Sequence, residues 1–222
     1  EHARDWAEKT LQIDPESDEA LSVLAVVLNE LDINPAGAIE LLQRAIKLNP
    51  GSISANNFLG DVYLRVGDLD NALKYELRAA ELDPLAPVHL ADLASVYLLK
   101  GEYTRAVSFA NRALALDPAF SQAHQSLGYA YYCLGDTEQL ARIYKRFSET
   151  ANIDAARLIQ QQITLNLVNG NHKQVEDSLD KFEQAQPSPI PLFALAANAI
   201  QLGDIDRAAQ FLLKAYEARD NG

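Results

Sequence analysis

Residues 53–84 read ISANNFLGDVYLRVGDLDNALKYELRAAELDP, and residues 87–118 read PVHLADLASVYLLKGEYTRAVSFANRALALDP. Laid over one another, they pair Leu59 with Leu93, Gly60 with Ala94, Tyr63 with Tyr97, Gly67 with Gly101, Ala72 with Ala106, Ala79 with Ala113 and Pro84 with Pro118. The central glycine and the closing Asp-Pro are both helix breaks. Glycine takes the left-handed conformation that ends one helix, and the Asp or Glu after it favours or caps the start of the next. Proline lacks the amide a helix needs and restricts the residue before it. Each stretch therefore reads as helix, tight turn, helix, tight turn.

The rhythm extends in both directions. Proline-ended phrases close at Pro15, Pro50, Pro84 and Pro118, spaced by 35, 34 and 34 residues, and ETANI puts Asn152 in the next proline slot with Pro187 following. Gly67, Gly101 and Gly135 fall 34 apart, with Gly170 and Gly203 continuing loosely. Ser17, Ser52, Ser121, Asp154 and Ser188 sit where helices need N-caps, and Pro189 suits a first turn. No alternating strand pattern with hairpin turns interrupts this order. The expected fold is all-α.

Composition agrees. The 222 residues include 48% hydrophobic ones, enough to bury a core and too many for a disordered chain. Cys133 stands alone, so no disulfide framework is available. A formal net charge of −12 weighs against unassisted binding to nucleic acid or anionic membranes. No apolar run approaches the ~20 residues of a membrane span, so no direct membrane insertion is expected.

Within each unit a large residue, Leu, Gly or Ala, and Tyr mark the first helix, and small residues mark the second. These are Asn56, Leu59, Gly60, Tyr63, Ala72, Glu76, Ala79 and Pro84 in one unit. In the next they are Leu90, Leu93, Ala94, Tyr97, Ala106, Ala110, Ala113 and Pro118. Residues 18–50 match through Leu21, Leu24, Ala25, Leu28, Ala38, Leu42, Ala45 and Pro50, and residues 121–152 through His124, Leu127, Gly128 and Tyr131. This pattern resembles the tetratricopeptide repeat. The resemblance implies a right-handed α-solenoid, a superhelix of antiparallel helix pairs running through residues 1–222. Its units would be a half repeat at 1–15, repeats at 18–50, 53–84, 87–118 and 121–152, an irregular repeat at 155–187 and a final one at 189–219. Bulky Leu140, Tyr144 and Phe147 depart from the small residues usual on a second helix. The lone second helix at the start, with Trp6 and no initiator methionine, suggests a piece of a longer protein, expected to be bacterial, and ends able to self-associate. The stretches 81–87 and 93–107 are also similar to repeat regions of bacterial transmembrane winged-helix activators and class III adenylate cyclases. That leaves open an accessory segment of an enzyme or regulator whose active domain lies elsewhere.

Catalytic signatures are absent. His2, His89, His124 and His172 form no HExxH, no Cys/His cluster has metal-ligand spacing, and the glycines follow the repeat rather than a phosphate loop. His124 fills the large-residue slot of its repeat and reads as a packed structural histidine. No cofactor, metal or catalytic residue is expected, and the chain reads as a non-enzyme. In tetratricopeptide arrays the first helices line a concave surface. The resemblance carries that surface onto Asn57, Asp61, Arg65, Ser95, Gln122, Gln125, Tyr129, Tyr132, Arg157, Gln160 and Thr164, a polar wall with two tyrosines suited to a peptide or partner protein. The positions of the carboxylate clamp found in chaperone-binding members read Ser22/Val26, Asn57/Asp61, Ala91/Ser95 and Gln125/Tyr129 here, so chaperone tails are not the expected ligand.

Overall fold

The Asp-Pro and Asn-Pro turns work harder than helix breaks. In each, the acidic or amide side chain accepts a hydrogen bond from the amide two residues on: Asp14 from Glu16 at 3.0 Å, Asn49 from Gly51 at 3.1 Å, Asp83 from Leu85 at 3.4 Å and Asp117 from Ala119 at 2.9 Å. This side-chain mimic of a backbone turn explains why Asp or Asn precedes proline each time. A computed structural model of the chain describes residues 2–150, 161–166, 169–171, 173–175, 177–178, 196 and 205–220. Among these, every regular element is helical: α1 (His2–Ile13), α2 (Asp18–Glu30), α3 (Pro35–Leu48), α4 (Ile53–Arg65), α5 (Leu69–Leu82), α6 (Pro87–Leu99), α7 (Tyr103–Leu116), α8 (Ser121–Leu134), α9 (Thr137–Thr150) and α10 (Ile205–Asp220). Residues 161–166 are helical as well.

The glycine turns close as their chemistry requires. Gly67, Gly101 and Gly135 have φ of 83°, 74° and 70°. Behind each, the next residue's amide reaches back to a tyrosine carbonyl: Asp68 to Tyr63 at 2.9 Å, Glu102 to Tyr97 at 2.9 Å and Asp136 to Tyr131 at 3.0 Å. Asp68 and Asp136 then cap the next helix, accepting from the amides of Asn71 and Gln139. Glu102 occupies the same place without a side-chain cap bond. Of the serines expected as caps, Ser17 accepts from Ala20, Ser52 caps α4 without a side-chain bond, and Ser121 is already inside α8. Asp154, Ser188 and Pro189 lie outside the described residues.

The chain divides into two compact units, Glu1–Ala130 and Tyr131–Gly222. In the first, α2 packs on α3, α4 on α5 and α6 on α7, and each pair packs on the next. Ala38, Ala72 and Ala106 early in the second helices, and Ala45, Ala79 and Ala113 late in them, are all fully buried. Side chains that small let helix axes approach closely. Aromatic rings fill the wider gaps: Tyr63 stacks on Tyr75 with centroids 5.7 Å apart, and Tyr97 on Phe109 at 5.3 Å. Each pair buries one flank and offers the other to its neighbour, which makes the core continuous. In the second unit two of the bulky departures, Leu140 and Phe147, are buried, as is Ile143. Tyr144 is half-buried, and burial pushes its phenol up to about 12.

Candidate functional site

The first helix α4 touches the first helices α2 and α6 as well as its own partner, whereas contact of that extent is absent between α3 and α5 or α5 and α7. First helices crowd together on one side of the first unit, which makes that side the inner one. A chain of side-chain hydrogen bonds crosses it. Asn57 of α4 donates through Nδ2 to Glu76 Oε2 at 3.1 Å and to Asp92 Oδ2 at 2.9 Å, and Gln122 of α8 donates through Nε2 to Asp92 Oδ1 at 2.7 Å. Three successive first helices are thereby joined.

The carboxyl at the α5 end of this chain is unusual. Glu76 rises from α5 and is only 1% exposed. Gly60 makes room for it, since a Cβ there would run into Glu76 Oε1 and stand 2.7 Å from Cδ. Desolvation, with Asp92 and Asp61 nearby, pushes the Glu76 carboxyl up to about 9, against the opposing pull of the Asn57 amide. Burial raises Asp92 in the same direction, opposed by its bonds from Gln122 and Asn57. His89, 5% exposed, completes the group: one of its ring nitrogens and a carboxylate oxygen from each of Glu76 and Asp92 lie within 4.8 Å of one another. Among the described residues its Nδ1 has no hydrogen-bond partner. His124 is different, for its Nε2 lies 2.8 Å from the Pro118 carbonyl oxygen and ties α8 to the turn before it.

The remaining expected wall residues distribute unevenly. Arg65 bonds Asp61 at 2.9 Å, one turn away, and Glu30 of α2 at 3.0 Å. Ser95 turns its hydroxyl back to the Ala91 carbonyl at 3.0 Å. Gln125 is exposed, and Tyr129 is 58% exposed. In the second unit Tyr132 is half-buried, and Thr164 is buried with its hydroxyl hydrogen-bonded to Tyr144. Arg157 and Gln160 lie outside the described residues. The structure thus brings Asn57 and Gln122 together through Asp92, which position alone did not suggest. Two signals for the cluster stand in the sequence: Glu76 occupies a slot that is Ala110 one repeat later, and His89 and Asp92 are three apart on one helix.

A family model described as tetratricopeptide repeat matches residues 34–87, and another of that description matches 90–122 and 123–158, together more than half of the chain. The chain belongs to the tetratricopeptide repeat family. A tetratricopeptide repeat protein from Parabacteroides merdae ATCC 43184 superposes with a TM-score of 0.77 at 15% identity, over 97% of this chain and 85% of that one. The pilF protein of Pseudomonas aeruginosa does so at 0.67 and 20%, over 81% of each chain. MamA is 28% identical with a TM-score of 0.58, over 65% of this chain and 84% of that one. No curated protein sequence matches. Tetratricopeptide repeats mediate protein–protein interaction and are typically non-catalytic scaffolds. Among the described residues no helix is long and apolar enough to cross a membrane.

Proposed function

We propose that the inner side of the first unit, formed by α2, α4, α6 and the start of α8, receives an extended or helical segment of a partner protein. The observation that carries this reading is the hydrogen-bond chain from Asn57 through Asp92 to Gln122, which joins three first helices along one face. Gln125 and Tyr129, further along α8, are exposed. The face thus pairs rigidly held amides with an aromatic ring, a combination suited to backbone and side-chain contacts of a peptide. Aromatic anchors commonly dominate such contacts, with truncation costing ~2 kcal/mol or more. The chain as bait, with mass spectrometry of what it retains, supplies partner segments for titration. Tyr129→Ala is expected to weaken the retained segment about tenfold or more, while its melting temperature stays close to wild type because the ring is largely outside the core. Unchanged affinity in Tyr129→Ala would remove this residue from the wall.

A further inference from the structure

We propose that Glu76, His89 and Asp92 form a binding site for one divalent first-row transition-metal ion, of which Zn2+ is the reference case. Their donor atoms lie within 4.8 Å of one another. His89 and Asp92 sit three apart on α6, so both side chains leave the same face of that helix, and Glu76 meets them from α5. Bonds of about 2.1 Å to a central ion separate neighbouring donors by roughly 3–4 Å, so the three groups close around an ion by shifts of about 1 Å. One imidazole with two carboxylates suits Zn2+ or Mn2+, whereas Ca2+ and Mg2+ take oxygen donors alone.

The surroundings favour the same assignment. Among the described residues no Lys or Arg pairs with Glu76 or Asp92, and the nearby Arg65 is engaged by Asp61 and Glu30. The donors shown for the two carboxylates are neutral amides, Asn57 to both and Gln122 to Asp92. Amides placed this way orient metal-binding carboxylates and leave their charge for the ion. Gly60 keeps the space over Glu76 free of a side chain. The buried Nδ1 of His89 points the same way, for it has no hydrogen-bond partner among the described residues. A proton shared by the two acids would account for the carboxyls and leave this nitrogen unanswered. Three protein donors also leave at least one coordination position open.

The test uses the whole chain, stripped with a chelator and titrated with Zn2+ alone by calorimetry or equilibrium dialysis. One equivalent is expected to bind with micromolar affinity or better. His89→Gln and Asp92→Asn are each expected to weaken it by about tenfold or more, and His2→Gln, which alters an exposed residue of α1, to leave it unchanged. Co2+ added to the stripped wild type should give visible absorption bands that excess Zn2+ removes. Absence of Zn2+ uptake, uptake that persists in both variants, or equal uptake of Ca2+ would overturn the proposal. Should either variant fail to fold, the wild-type stoichiometry and Co2+ bands decide, and a Co2+ spectrum no different from the free ion refutes the site.

Discussion

The pairs α4–α5 and α6–α7 are built to one plan and differ where it matters most. Both carry fully buried alanines on the second helix and a stacked aromatic pair, yet Gly60 and Glu76 of the first stand where Ala94 and Ala110 stand in the second. Ala94 and Ala110 are buried without any polar atom to satisfy. The second pair shows that the architecture is met by two methyl groups. A buried carboxyl is therefore no packing device, and retaining one costs stability unless something offsets it. The difference between the pairs locates chemistry that the fold itself does not need.

The sharpest way to expose that cost is pH. Burial pushes the Glu76 carboxyl up to about 9 from an ordinary value of 4.5. Between those limits the folded chain keeps a proton that the unfolded chain releases. The associated stability is fully present below about 4.5 and is lost as pH rises towards 9, up to about 6 kcal/mol at the limit. The groups facing Glu76 are Asp61 on α4 and His89 and Asp92 on α6, and the raised Asp92 adds a slope of the same sign. Urea midpoints should fall steadily from pH 5 to 9 in the wild type, while Glu76→Gln should flatten most of that decline. An equal slope in the two proteins would show that Glu76 ionises as freely as an exposed acid.

A smaller effect is expected from the space over Glu76. Gly60→Ala introduces a Cβ that collides with the Glu76 carboxyl, and overpacking of this kind costs ~1–3 kcal/mol. In the Glu76→Ala background the site becomes the α6–α7 arrangement, and the same substitution should be neutral or slightly stabilising, since alanine is the better helix former by ~1 kcal/mol. The coupling between the two changes is the quantity of interest. Additive effects, measured by denaturant unfolding of all four proteins, would show that Gly60 and Glu76 do not depend on each other.

The repeat, its turns and its small-residue contacts were legible because they are local. Gly67 with Asp68 and Asp117 with Pro118 act within a few residues, so their chemistry is written where it operates. Asn57 and Gln122 were legible as members of one wall, because helix position places them on a face. Their link was not, since Glu76 and Asp92 meet them only after consecutive pairs stack, and the stagger between pairs is a tertiary quantity. Ser121 misled for a related reason. The helix cap stands three residues after the turn's Asp or Asn, at Ser17, Ser52 and Ala86, and three residues after Asp117 stands Phe120, so the serine one position later falls inside α8.

The smallest effect tests the one turn of the first unit that departs from the glycine rule. After α2 the chain reverses through Ile33 at φ 51°, with the Asn34 amide reaching the Leu28 carbonyl at 3.0 Å. Gly67 and Gly101 make the equivalent reversals, and nothing stands within 4 Å of a Cβ placed on either. The preference for glycine there is thus a property of the backbone rather than of space. A left-handed conformation costs a residue with a side chain ~1–2 kcal/mol, and a β-branched one suffers most. Ile33 is 77% exposed, so removing its side chain forfeits little burial. Glycine gives back ~0.5–1 kcal/mol through the greater freedom of the unfolded chain. Ile33→Gly should therefore stabilise by up to about 1 kcal/mol, and Gly101→Ala should destabilise by a similar amount. Raised and lowered midpoints in the same denaturant series would place the two turns under one rule. A lowered midpoint for Ile33→Gly would mean that the isoleucine side chain holds its turn through contacts that outweigh its strain.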